Sequence, residues 1–441
     1  MNQETIAAIA TAAGPAGVGI IRLSGPRAIA IAAEALGIEE SSLDRNVRVG
    51  WATDRAGTRI DRVIAFAMRA PSSFTGEDVA EIQGHGGSHN LGKLLATVVE
   101  RGARVAEPGE FTRRAVASGK LDLLRAEALL DVIAAGSDRS WRLAQDNLSG
   151  KIGLEAEAIE KRALIVLAEL EGWIDFPEED LEIANATWIA TEISALQSAC
   201  ARLADGFRHG RAVSRGITVA LVGPVNVGKS SLLNALVGTE RALVAPEPGT
   251  TRDWLEVSDV WNGVSVTLVD TAGLRESGDA TAGAIEQRGI ALGQARVASA
   301  DVVVVVNDGF SGWDDGTRFG ERAVVVRSKA DLGGASSAAL MTSATRGQGL
   351  EELKHRVLEV AGVADREGSE QAFVTTARQQ GLAATAREAF AAAAETWAAK
   401  RPPEVIAVEL RHGSQTLAQL RGIEVGDRVL DEVFARFCIG K

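Results

Sequence analysis

The sequence predicts a multidomain protein of mixed α/β and α+β class: an N-terminal α+β domain, a central helical domain, and an α/β domain with a mainly parallel sheet inserted into the helical one. Three observations lead there. Short apolar runs punctuated by Gly and Pro turns fill residues 1–118, and apolar positions spaced by three and four fill Leu121 to Gly206 and resume near Gln371. Between these helical stretches, residues 213 to about 362 alternate strand-like and helix-like segments. A chain of 441 residues is too long for one core and suggests about three domains.

The elements follow in chain order. Thr5 to Ile21 is apolar but broken at Gly14-Pro15, which reads as strand, turn, strand; no Lys or Arg precedes it, so it fails as a signal peptide. Gly25-Pro26, Gly84 to Gly87 and Pro108-Gly109 bound further short strands such as Val63 to Ala67. Leu124, Ala128, Leu129 and Val132 show the helical period that continues to Gly206. Strands are expected at Ile217 to Val222, Val264 to Val269, Val302 to Val306 and Ala323 to Val326, and the C-terminal Ala-rich helices break at Pro402-Pro403. The expected domains are 1–118, a discontinuous helical domain at 119–210 and 365–441, and the inserted α/β domain at 211–364.

Composition excludes several classes. Two cysteines, Cys200 and Cys438, give no disulfide framework and fit a reducing compartment, so a cytoplasmic location is expected. Nowhere do eighteen uninterrupted apolar residues occur, so no membrane span is expected. A net charge of −12, from 47 basic and 59 acidic residues, argues against a broad nonspecific nucleic-acid surface. Arg113-Arg114 and the stretch from Arg208 to Arg215 are local basic spots, read as solvated loop charges. His85 and His89 have metal-ligand spacing, but Gly86-Gly87 between them argues against a zinc site.

The chemistry is carried by Gly223-Pro224-Val225-Asn226-Val227-Gly228-Lys229-Ser230, a G-x-x-x-x-G-K-S loop between an apolar strand and the helical pattern of Ser231 to Leu236. Backbone N–H groups of such a loop turn inward around phosphates, Lys229 supplies positive charge, and the Ser230 hydroxyl suits Mg2+. Gly249-Thr250-Thr251-Arg252-Asp253 offers Thr250 and Thr251 for the metal and γ-phosphate, with Thr251 the preferred magnesium ligand alongside Ser230. Asp270-Thr271-Ala272-Gly273 puts a carboxylate at a strand's carboxyl end and the Gly273 N–H toward the γ-phosphate. Ser328-Lys329-Ala330-Asp331, with Asp331 accepting guanine N–H groups, and the base-cradling Ser343-Ala344 complete a GTP-binding set in chain order. Leu274 follows Gly273 and cannot orient a water, so another polar residue must. Asn226 reads either as a monovalent-cation ligand or as a turn-stabilising side chain.

Over essentially its whole length the chain resembles the MnmE (TrmE) tRNA modification GTPases. The residues that carry this are Gly17 to Gly25, Phe74-Thr75-Gly76-Glu77-Asp78-Val79, Glu81-Ile82-Gln83-Gly84-His85-Gly86-Gly87, Pro108 to Thr112, Gly119-Lys120-Leu121-Asp122-Leu123, Ile174 to Glu179 and Phe437-Cys438-Ile439-Gly440-Lys441. The resemblance implies an N-terminal tetrahydrofolate-binding domain and an inserted P-loop GTPase domain. It also implies a homodimer that works with an FAD-dependent partner protein, MnmG or GidA, as a heterotetramer acting on tRNA. The implied product is an aminomethyl or carboxymethylaminomethyl group at C5 of the wobble uridine, its carbon drawn from 5,10-methylene- or 5-formyl-tetrahydrofolate.

By the same resemblance Arg22, Glu81, Lys120 and Lys441 contact the folate. Asn226, Ala245, Glu247 and Thr250 hold potassium, Ala245 standing where a Thr is common. Glu286, in Ile285-Glu286-Gln287-Arg288-Gly289-Ile290, positions the attacking water, although an apparent insertion after Arg275 shifts it and a helix-start carboxylate is the other reading. Cys438 matches a family cysteine and takes either a direct chemical role or a structural, folate-lining one; Cys200, among apolar neighbours, is expected in the core. Ser328 replaces the family's Asn, which removes a side chain that ties the base-recognition loop to the phosphate loop. Two other readings stay open: a ribosome-assembly-type GTPase switch without folate chemistry, and a folate enzyme whose GTPase domain is only structural.

Overall fold

The computed structural model describes residues 4–175, 184–238, 256–270, 295–308, 316–332, 340–364, 373–423 and 425–440. The chain divides into two compact units, residues 1–130 with 421–441, and residues 131–420. Residues 421–441, grouped with the helical domain on sequence, lie in the first unit because Val433, Phe434 and Phe437 bury against Leu123 and Ala126.

The first unit is built on β1 (Ile6–Ile9), β2 (Gly19–Ser24), β3 (Arg48–Thr53), β4 (Arg59–Met68), β5 (Val79–Gly84) and β6 (Arg104–Val105), in the order β3-β4-β5-β2-β1-β6. All neighbours are antiparallel except β1 and β6. The two-residue period sends Ile21, Leu23, Val63, Ala65, Ala67, Ala80 and Ile82 to one face, where the helices Ala28–Leu36 and Ser88–Glu100 cover them. Arg22 and Glu81 lie on the other face, directly opposite one another in the β2–β5 register.

The second unit joins helices to the second sheet. That sheet comprises β7 (Ile217–Val222), β8 (Glu256–Trp261), β9 (Val264–Asp270), β10 (Val302–Asn307), β11 (Ala323–Arg327) and β12 (Leu340–Met341), ordered β12-β11-β10-β7-β9-β8. All pairs are parallel except β8 with β9. Val302, Val304 and Val306 join one buried cluster while Val303 and Val305 join another, so β10 is an unbroken valine run because both faces are covered. The chain re-enters the helices at residues 373–376. Thr376 and Gln379 form a capping box at the start of helix Ala377–Ala398, and Thr375 Oγ1 donates to Asp131 at 2.8 Å.

Both basic spots sit on helices rather than in loops. Arg113 and Arg114 belong to helix Glu110–Ala117, where Arg114, only 15% exposed, pairs with Glu77 at 3.0 Å and Glu110 at 2.9 Å. Arg208, Arg211 and Arg215 lie on helix Phe207–Arg215. Cys200 is fully buried, and desolvation pushes its thiol pKa up to about 12. No described helix is long and apolar enough to cross a membrane.

Candidate functional site

The glycine-rich loop leaves β7 where the strand order turns back, with β9 on one side and β10 on the other, and runs into helix Lys229–Val237. Ligands collect at such a switch point beyond the carboxyl ends of parallel strands. Gly223 is required by space: a Cβ there would strike the Val306 carbonyl of β10. Asn226 and Gly228 take left-handed conformations, with φ of 61° and 101°, which aim successive backbone groups into the loop.

Lys229 is 8% exposed and folds over the loop, its Nζ donating to the carbonyls of Gly223 at 2.8 Å and Pro224 at 2.7 Å. Burial draws its pKa down while the Asp270 carboxylate opposes the shift. The Ser230 hydroxyl donates to Asp270 Oδ2 at 2.7 Å, and Ser231 follows in the first helical turn. Asp270 ends β9 opposite Leu221 of β7, so the sheet register brings this pair together. A hydroxyl and a carboxylate at that separation form the oxygen-only donor set that Mg2+ prefers.

Ser328 corrects the expectation of a lost tie. Its Oγ donates to the Val227 carbonyl at 2.6 Å, so the shorter side chain still links the base-recognition segment to the phosphate loop. Lys329, at φ 57°, adds a second link by donating from Nζ to the Asn226 carbonyl at 2.9 Å. Asp331 Oδ1 accepts the hydroxyl of fully buried Ser343 at 2.6 Å; that bond is the largest cause holding its carboxyl below the usual range. Ala344 follows in the same turn. The side chain of Asn226 has no hydrogen bond to any described residue, so it does not stabilise the turn through them.

Thr250, Thr251, Ala245, Glu247, Thr271, Ala272, Gly273 and Glu286 lie outside the described residues, as do Lys441 and the segment 176–183. Sequence reasoning missed the carbonyls of Gly223, Pro224 and Asn307, the last accepting the Ser328 N–H at 2.8 Å. Backbone acceptors leave no residue-type signal.

On the first unit's open sheet face, Arg22 Nε donates to Glu81 Oε1 at 2.9 Å, and Arg22 Nη1 reaches the Gly440 carbonyl at 3.5 Å. Arg22 and Glu81 line a cavity of about 290 Å³ with Met68, Phe74, Val79 and Leu129. The apolar lining went unassigned on sequence, although Phe74 opens a motif singled out there. Lys120 is exposed, its stem beside Gly76 rather than among the lining residues. Cys438 is exposed, and its carbonyl accepts the Gly109 N–H at 3.4 Å.

A parallel sheet with this loop, a Ser–Asp pair at its switch point and an Asp-bearing base segment define a P-loop protein of the GTPase class, joined to an α+β unit with its own charged, apolar-walled cavity. The chain belongs to the MnmE (TrmE) family: a model described as the MnmE helical domain matches residues 123–438, and one described as GTP-binding protein TrmE N-terminus matches residues 5–120. It is similar to proteins named tRNA modification GTPase MnmE. The one from Synechococcus sp. (strain CC9605) is 41% identical over 456 aligned positions, covering 100% of both chains. That from Symbiobacterium thermophilum is 39% identical over 471 positions, again covering 100% of both. The Parasynechococcus marenigrum protein is 42% identical over 454 positions, covering 100% of this chain and 99% of the other.

Proposed function

We propose that this protein is a GTP hydrolase acting in tRNA modification, in which nucleotide turnover at the P-loop governs one-carbon chemistry at the wobble uridine. The observation that carries this reading is the convergence of Lys229, Ser230 and Asp270, with Ser328 tying in the base segment. Mg2+ held at Ser230, with Thr251, would neutralise phosphate charge. Lys229 exchanges its loop carbonyls for phosphate oxygens when nucleotide enters, and Asp331 reads the guanine edge. Glu286 orients the attacking water. Asn226 holds potassium with Ala245, Glu247 and Thr250; its freedom from described side-chain partners supports that role.

The second site binds a 5,10-methylene- or 5-formyl-tetrahydrofolate, which supplies the transferred carbon. Glu81 suits pterin N–H donors, Arg22, Lys120 and Lys441 suit the carboxylate tail, and Phe74 and Met68 give a flat ring apolar walls. Cys438 enters that chemistry or lines its edge. An FAD-dependent MnmG-type partner completes the reaction on tRNA in the cytoplasm. Val47, Val49, Trp51 and Ile64, exposed on or beside β3 and β4, support a homodimer.

Mass analysis of wobble uridines tests the whole reading: tRNA from cells lacking the protein should regain the modification with the unaltered chain and not with Lys229→Ala. Failure of the unaltered chain to restore it would sink the proposal. A ribosome-assembly-type switch predicts no tetrahydrofolate binding, and a structural GTPase domain predicts full activity in Lys229→Ala. Equal GTP turnover in potassium and sodium would remove the cation role of Asn226.

A further inference from the structure

A second polar cavity, of about 430 Å³, opens in the unit that carries the nucleotide loop but at the other end of its sheet. Ile217, which starts β7, and Asp301, which precedes β10, both line it, so roughly 20 Å of strand separates it from the phosphate loop. Three guanidinium groups line it from two segments: Arg208 and Arg211 from helix Phe207–Arg215, and Arg322 from the end of the short 3-10 helix Thr317–Arg322 before β11.

Among the described residues, each arginine is anchored through a single nitrogen. Arg208 Nη2 donates to the Val360 carbonyl, Arg211 Nη1 pairs with Asp301 Oδ1 at 3.0 Å, and Arg322 Nη1 donates to the carbonyls of Ala298 at 3.0 Å and Ala300 at 2.9 Å. Anchoring restrains each guanidinium and, among the described residues, leaves its other N–H groups without a hydrogen-bond acceptor. Of the two carboxylates in the lining, Asp301 is spent on Arg211 and on the Thr218 N–H at 2.9 Å, and Glu321 is exposed to solvent. Arg215 extends the charge beyond the cavity: exposed positions 208, 211 and 215 recur at helical spacing on one face, about 10 Å from end to end. Held guanidinium forks favour phosphate oxygens, and a line of them outreaches one phosphate group.

We infer that this arginine-lined cavity and the stripe leading from it form a phosphate-binding site for the backbone of an RNA. The inference rests on the proposed action on tRNA. It also gives the basic stretch from Arg208 to Arg215 a role that the nucleotide and folate sites do not supply. In a chain of net charge −12, RNA contact has to be local, and among the described residues this cavity gathers three guanidinium groups with donors to spare. A free phosphate compound offers the same chemistry, and the test separates the two sources.

Fluorescence anisotropy of a labelled tRNA transcript should compare the full chain, saturated with GDP and magnesium, with Arg208→Gln/Arg211→Gln and with Arg215→Gln across several salt concentrations. The double substitution is expected to weaken binding about tenfold and to lower the slope of log affinity against log salt by roughly one to two; Arg215→Gln, which breaks no described contact, should lower it by about one. GTP turnover should not change in either. With the nucleotide site still filled, calorimetric titration of pyrophosphate forms the second arm. Pyrophosphate binding lost in the double variant with tRNA affinity untouched would keep the site and make its ligand a free phosphate. Unaltered tRNA affinity, salt slope and pyrophosphate binding in both variants would overturn it. An unaltered chain that binds no tRNA would defeat the functional reading instead, leaving the pyrophosphate arm to decide the site.

Discussion

Single atoms set the nucleotide site's behaviour. A serine hydroxyl has one proton, and Ser328 spends it on the Val227 carbonyl, so its role is to position the loop. Ser328→Ala should therefore weaken GTP binding by about 1 kcal/mol, or roughly fivefold, in a fluorescent-nucleotide titration, and Ser328→Thr should recover most of it. The two thiols should separate cleanly. Cys438 is exposed, while Cys200 is buried with its pKa pushed up to about 12, so an aromatic disulfide reagent at pH 8 should label one thiol in the native chain and two after denaturation. Asp61 gives a pH signature. Burial pushes its carboxyl up, but hydrogen bonds from the His85 ring at 2.7 Å, Asn90 at 2.7 Å and the His85 N–H at 2.8 Å outweigh it and leave the pKa lowered. A depressed folded-state pKa gives stability that is complete above the unfolded value near 4 and is lost as pH falls through the folded one. Asp61→Asn should lower thermal stability at pH 7 and flatten its fall below about pH 4, which thermal scans at stepped pH would read.

At the scale of elements, close backbone approach is what the glycines permit. Gly223→Ala would drive a Cβ into the Val306 carbonyl of β10 and push the phosphate loop off its strand. Loss of GTP binding with an almost unchanged circular dichroism spectrum is expected; retained affinity would show that the loop has room to move. Element identity was legible here because period and punctuation agree: the valine run at 302–306, the Gly-Pro breaks and the loop signature each have one reading. The basic stretches were not legible. Arg208 to Arg215 and Arg113-Arg114 look like loop charge in isolation, yet each helix buries its apolar face and projects or pairs its arginines only once its neighbours are in place.

For the whole molecule, the C-terminal segment stabilises the N-terminal unit. Phe434 and Phe437 bury in the cluster around Leu123 and Ala126, and Arg113 pairs with Asp431 at 2.9 Å. Removing residues 425–441 should lower the melting transition of the first unit by roughly 10–20 °C and leave the second near its original midpoint, since two buried phenylalanines are lost at roughly 3 kcal/mol each. A calorimetric scan with both transitions unmoved would contradict that assignment of the tail.

The sequence alone determined the class, the order of the elements and the phosphate-loop chemistry, because strand and helix periods and the G-x-x-x-x-G-K-S spacing are local properties that survive without neighbours. Tertiary structure alone decided that Ser230 meets Asp270, that Ser328 keeps its tie, that Arg22 faces Glu81, and that three arginines converge opposite the nucleotide loop. Those pairings span up to 114 residues of chain, as between Arg208 and Arg322, and are set by sheet register and packing, which no short window of residues encodes.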